Sequence, residues 1–247
     1  MGKNDHKMLT ILWQDDDYLL LDKPAGVLTI PDRFDKNAPN LHALLRERFG
    51  TIFVVHRLDV GASGAICFAK NSQAHRALSL QFERHEVEKI YRALVRGQVE
   101  DDTGEIRLPI AAQKAGDGRM TVDKRRGKEA ITRYAVLQRF RDYTLLSITL
   151  LTGKTHQVRV HCRAIGHPLA IDPLYGSLHP IFLSSFKPKY VAKRDEEEKP
   201  LISRLTLHAH SLAFAHFRSH ARVRIEAPEP RDFRAAITQL TKWNYLT

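Results

Sequence analysis

Apolar and polar positions change period several times along the chain, and the changes mark out its elements. Ile11 to Asp22 reads as strand and turn, leading into Lys23-Pro24-Ala25-Gly26. There proline removes a backbone donor and fixes φ while glycine allows positive φ, so a shaped loop follows. Asn40 is placed to cap a short helix with Leu41, Leu44, Leu45 and Phe49 on one face. Ile66-Cys67-Phe68-Ala69 has the look of a buried strand. Asn71 or Ser72 then caps a helix with Ala74, Leu78 and Phe82 at i, i+4 and i+8. Tyr91 to Val95, Ala130 to Val136 and Tyr143 to Leu151 are strand-like, the last two as neighbours. His156 to His161 alternates as a half-buried strand would. Alternating apolar positions resume after Leu205, and a turn with Pro228 and Pro230 leads to a last helix. Asp232 is its candidate cap, with Phe233, Ile237 and Leu240 inward. Strands and helices mix without a regular βαβ rhythm, which predicts an α+β fold on a mainly antiparallel sheet.

Two stretches stand apart. Arg107 to Lys128 is loop-rich and basic, with seven Lys/Arg against two Asp. Lys187 to Lys199 carries five basic residues and four consecutive acids (Asp195 to Glu198) and reads as a solvated, charged insertion near 187–200. The remainder, 11–247, reads as one catalytic domain behind a short polar tail at 1–10.

Composition narrows the class. The 247 residues carry a formal net charge of +11, which favours a polyanionic partner through counterion release. No run approaches the roughly 18 apolar residues of a membrane span, and the polar N-terminus opens no signal-peptide core, so a cytoplasmic protein is expected. Two cysteines, Cys67 and Cys162, suit a reducing compartment and make no zinc site by themselves. The absence of a glycine-rich phosphate loop argues against nucleotide hydrolysis and dinucleotide cofactors. The histidines His156, His161, His167, His208 and His210 follow no ligand spacing, so no metal is expected.

Two segments concentrate chemistry. His56-Arg57-Leu58-Asp59-Val60-Gly61-Ala62-Ser63-Gly64 sits between apolar runs and ends in a glycine-rich turn. An aspartate there either presents its carboxylate to a cleft or bonds its own turn. Thr152-Gly153-Lys154-Thr155-His156-Gln157-Val158-Arg159-Val160-His161 supplies Arg159, which either pairs with a carboxylate, as a structural or orienting ion pair, or contacts phosphate.

These segments closely resemble the RluA-type RNA pseudouridine synthases. "HRLDVGASG" is similar to the catalytic motif of that family, and "TGKTHQVRVHCRAIGHPLAIDPLYG" to its second hallmark. "LLLDKPAGVLTIP" and "EKIYRALVRG" resemble its N-terminal loop and the segment bearing its active-site tyrosine. The resemblance spans about residues 11 to 240 in family order. It implies a bent, mainly antiparallel sheet with flanking helices and a central RNA-binding cleft. It also implies Asp59 as catalytic carboxylate, Tyr91 as active-site tyrosine and Arg159 as the arginine paired with the aspartate. Arg57 matches the arginine that opens RNA around the target. His56, Lys154, His156 and Gln157 join the substrate-binding set with it. One departure is Ala62, where relatives carry a Thr or Ser that buttresses the turn. No accessory RNA-binding domain is expected before residue 11.

The implied reaction moves uracil from its nitrogen 1 linkage to a carbon 5 linkage on the same ribose, with no cofactor, on a base taken out of its stack. The partner is rRNA or tRNA, bound through charges that include Lys114, Arg119, Lys124, Arg125, Arg126 and Lys128. A free monomer is the default. Two other classes compete: a non-catalytic RNA-binding or ribosome-assembly factor on the same fold, and a metal-dependent nuclease.

Overall fold

A computed structural model of the chain describes residues 9–32, 35, 38–113, 118–191 and 197–246. Its elements in order are β1 (Thr10–Gln14), β2 (Tyr18–Lys23), α1 (Leu41–Phe49), β3 (Phe53–Val54), β4 (Ser63–Ala69), α2 (Ser72–Glu83), β5 (Glu88–Arg96), β6 (Thr103–Arg107), β7 (Ile110–Ala112), β8 (Met120–Val122), β9 (Ile131–Arg139), β10 (Tyr143–Leu150), α3 (Gln157–Ala164), β11 (Leu207–Ala215), β12 (Arg222–Glu226) and α4 (Arg231–Trp243). This is a mixed, sheet-dominated α+β fold. None of the described helices is long and apolar enough to cross a membrane. The chain divides into two compact units, residues 1–90 with 208–228, and 91–207 with 229–247.

In the first unit the strand order is β1-β2-β4-β11, with β3 on β4 and β12 on β11. β2 and β4 run antiparallel from Tyr18↔Ala69 to Lys23↔Gly64. That register brings the loop leaving β2 and the loop entering β4 to the same end of the sheet. β4 is buried at all seven residues and pairs in parallel with β11 at Ser63↔His208 and Gly64↔Ala209. A core of Tyr18, Leu20, Cys67, Leu78, Leu212 and Phe214 underlies it. Both expected caps are present. Asn40 Oδ1 accepts from the Ala43 amide at 3.0 Å and Asn71 Oδ1 from the Ala74 amide at 2.9 Å, so each helix starts where its orphan donors find an acceptor.

In the second unit the order is β5-β10-β9-β6, with β7 and β8 forming a separate antiparallel hairpin. The segment after α3 runs beside β5, with the Ala170 amide donating to Leu94 O and the Arg96 amide to Pro168 O. α4 closes a core of Leu94, Phe140, Leu145, Ile171, Phe233 and Leu240.

Three expectations are corrected. Residues 157–164 are helix rather than strand. Gln157, Val158, Arg159, Val160, His161 and Cys162 are all buried, so the helix is enclosed on several faces, and alternation over six residues does not separate that case from a strand. The stretch 107–128 is not simply loop: it holds the β7–β8 hairpin, although Lys114 lies outside the described residues. The N-cap of α4 is Pro230, and Asp232 instead forms a bidentate pair with Arg204 at 2.7 and 2.8 Å. In the charged segment 187–199, residues 192–196 lie outside the described residues. Glu198 on its far side accepts from the Ser184 amide at 2.9 Å.

Candidate active site

The backbone around Asp59 is held on both sides by the loop that leaves β2. Lys23 is fully buried, and its ammonium donates to Pro24 O at 2.9 Å, Val27 O at 2.6 Å and Val60 O at 3.2 Å. A cation removed from water is tolerated only with its donors satisfied, and these carbonyl dipoles do that. Gly26, at φ +84°, adds its amide to Val60 O at 2.7 Å. On the other side of Asp59, Thr29 Oγ1 accepts from the Leu58 amide and donates to Leu58 O, both at 3.3 Å. Leu58 and Val60 are thus fixed, with half-buried Asp59 between them. The turn closes through the Ala62 amide on Asp59 O at 3.0 Å.

Ala62 is itself buried, and the turn is braced at the next residue. Ser63 Oγ lies 3.0 Å from His208 Nδ1, whose Nε2 is 3.2 Å from Ala227 O. Gly64, at φ +116°, lets β4 approach β11 closely: a Cβ there would lie 2.2 Å from Ala209 O. Lys23, Thr29, Ser63 and His208 are therefore structural contributors that spacing alone did not single out. The lysine, the threonine and the serine stood inside quoted motifs, but nothing in their neighbourhood of sequence foretold their partners.

His56 and Arg57 face different surroundings. Arg57 is exposed. His56 stacks on Phe82, centroids 4.7 Å apart, and its Nε2 accepts the Cys67 amide at 3.0 Å. Burial, helped by the Lys89 ammonium, pushes its pKa down to about 3, so the ring is neutral at physiological pH. Nε2 is thereby committed to the strand.

In the second unit Arg159 is almost fully buried on α3. Its Nε and Nη2 bind Asp172 Oδ2 and Oδ1 at 2.8 and 2.7 Å, and Asp172 has no exposed surface. Asp172 Oδ1 also accepts the Leu174 and Tyr175 amides at 2.9 and 3.1 Å, and the Tyr175 ring lies 4.9 Å from the guanidinium carbon. A carboxylate satisfied in this way holds the arginine as a fixed, planar cation, and removing either member would leave a buried charge at a cost of about 3–5 kcal/mol. Asp172 was visible only as part of a motif, thirteen residues from its partner.

Gln157 has its whole amide engaged. Nε2 donates to Ile131 O and Thr132 Oγ1, both at 3.0 Å, and Oε1 accepts from Thr152 Oγ1 at 2.8 Å and the Lys154 amide at 2.9 Å. It ties the 152–154 turn to β9. His161 completes this network through Thr132 Oγ1 at 2.9 Å and Leu108 O at 2.8 Å.

Residues 17–164 match the sequence model of a family described as RNA pseudouridylate synthase. The chain belongs to this family. Its relatives include the dual-specificity RNA pseudouridine synthase RluA of Pasteurella multocida, 35% identical over 209 residues that cover 84% of this chain and 87% of that protein. An uncharacterized RNA pseudouridine synthase of Aquifex aeolicus is 36% identical over 251 residues, covering 96% of this chain and 75% of that one. The solved structure of human RNA pseudouridylate synthase domain containing 1 aligns with TM-score 0.72 and 28% identity, across 100% of this chain and 92% of that one. The likeness is RluA-type, and the activity is that of an isomerase acting on RNA.

The other expected site residues of this pseudouridine synthase lie as follows. Tyr91 is half-buried on β5. Lys154 is half-buried in the turn before α3, and His156 enters that helix at φ +55°. Lys124, Arg125 and Arg126 are exposed in the turn after β8, where the Asp123 carboxylate accepts the amides of Arg125 and Arg126, each at 3.0 Å. The Arg126 guanidinium folds back onto the same carboxylate at 2.9 Å, so Lys124 and Arg125 are the outward cations of this synthase's turn. Among the described residues, no three or more His, Cys, Asp or Glu side chains gather as a metal ion would require.

Proposed function

We propose that this synthase isomerises a uridine of rRNA or tRNA, with Asp59 as the carboxylate that acts at the ribose while the N1–C1′ bond breaks. The base turns, C5 bonds to C1′, the C5 proton leaves and N1 gains one, so atoms balance with nothing oxidised. The target uridine is extruded from its stack, since its reacting atoms are otherwise covered. Tyr91 stacks on the extruded base, and its hydroxyl serves the removal of the C5 proton. Arg159 is the fixed cation of the site. Exposed Arg57, Lys124 and Arg125, with Lys154, meet the phosphates.

The observation that carries this reading is the fixed backbone at Asp59. Both neighbouring peptide units are tied to buried groups of the β2 loop, and Asp59 itself is half-buried between them. A functional group held on a rigid support is what positioning in catalysis requires. The test is to incubate wild type and Asp59→Asn with total RNA from cells lacking the gene, then map pseudouridine by chemical labelling. At least a thousandfold loss in the variant is expected, with RNA binding retained. A variant that modifies the same position at wild-type rate would remove Asp59 from the chemistry.

A further inference from the structure

The β7–β8 hairpin is two strands of three residues, too little pairing to hold an orientation unaided. Its seating therefore depends on what it meets: Ile110, Met120 and Val122 pack with Val160 and Tyr175 in one apolar cluster, and its backbone adds a polar tie. Met120 opens β8 opposite Ala112, and its amide donates to the Tyr175 hydroxyl at 2.7 Å. The same oxygen lies 2.8 Å from His156 Nδ1. His156 is the residue just before α3 and holds a left-handed backbone conformation that a side-chain tether helps maintain. Tyr175 is itself buried, and its ring lies under the Arg159 guanidinium. Its amide binds the carboxylate that grips that guanidinium.

One phenolic oxygen thus joins the basic hairpin to the start of the helix that carries Arg159. It accepts from the Met120 amide and shares a second hydrogen bond with His156 Nδ1, which a hydroxyl, with one hydrogen and two lone pairs, can do at once. We propose that Tyr175 is a positioning residue that couples the RNA-gripping hairpin to the helix of Arg159, so that its hydroxyl governs RNA affinity and its ring governs Arg159. This rests on the RNA-modifying reading above. A bound RNA backbone would pull on the hairpin through Arg119, Lys124 and Arg125, and the Tyr175 hydroxyl resists that pull alongside the apolar cluster.

The two parts of Tyr175 separate experimentally. Tyr175→Phe keeps the ring and the packing and deletes both hydrogen bonds. With bulk tRNA and bulk rRNA as probes, KM and the RNA Kd are expected to rise about tenfold while kcat stays within about twofold. Tyr175→Leu also removes the ring and is expected to lower kcat as well. The discriminating measurement repeats Tyr175→Phe in a Lys124→Ala/Arg125→Ala background. If the hydroxyl acts through the hairpin, its effect on Kd shrinks to less than about twofold there, as interacting sites fail to add. A full, additive effect, or a loss of kcat with KM unchanged, would overturn the coupling. Since Kd needs no turnover, a wild-type chain that bound RNA without modifying it would defeat the activity reading and leave the coupling still decided by the binding cycle.

Discussion

At His56 a backbone amide points at Nε2 and a phenyl ring covers one face, so a second proton on the imidazole meets a donor where it needs an acceptor. The consequence is a pH dependence with a definite sign. The folded-state pKa, about 3, lies below the ordinary 6.5, so the unfolded chain takes up the proton first as pH falls. The stability associated with the neutral ring is complete above about pH 6.5 and is lost progressively between there and about pH 3. His56→Gln keeps an acceptor near Nε2 and does not titrate. The gap in urea midpoint between wild type and this variant should therefore shift in the variant's favour from pH 7.5 to pH 5, and parallel midpoints at the two values would refute the assignment. At this scale the sequence exposed identities better than partners. Asp59 and Arg159 stood out because of the motifs around them. The bidentate partner of Arg159, the Val60 carbonyl on Lys23 and the His208 contact of Ser63 could not be read, because each is made across a fold that brings separated positions together.

The elements legible from the chain were those with both a period and a cap. Asn40 and Asn71 each precede an apolar i, i+4 face, and each starts its helix as read. β9 and β10 were recognisable as neighbours because β-branched and aromatic residues recur on both sides of a short turn. α3 was misread because residues 157–162 are all buried, with Gln157 satisfied internally by four hydrogen bonds, so over those six residues no solvent face imposed a helical period. Strand β4 carries the most demanding constraint. Gly64 combines positive φ with backbone contact to β11, so Gly64→Ala must both strain its own backbone and push Ala209 away. A loss on the order of 3 kcal/mol is expected in chemical denaturation, well above an ordinary surface substitution. A loss under about 1 kcal/mol would mean that β11 yields easily.

For the molecule as a whole, the charge of +11 pointed to a polyanionic partner, and membership of an RNA-modifying family agrees with it. Within one basic turn the Arg126 guanidinium already answers Asp123. Lys124→Ala with Arg125→Ala should reduce the slope of log K against log salt by about 1 to 2, one counterion for each phosphate left without its cation. Adding Arg126→Ala should change the slope little further. A triple variant whose slope falls by a full third unit would show that Arg126 exchanges Asp123 for phosphate when RNA arrives. What composition could not deliver was the division into two compact units, since the first is assembled from both ends of the sequence interval 1–228.

The buried ammonium of Lys23 has a kinetic corollary. To let the 24–29 loop breathe alone, the fully buried cation would have to release the Pro24 and Val27 carbonyls while keeping that of Val60. That excursion is closed to it, so the 24–29 and 58–60 segments open together or stay shut. Amide exchange at Gly26 and Leu58, each donating within this clasp, would then share one opening event and one rate of escape.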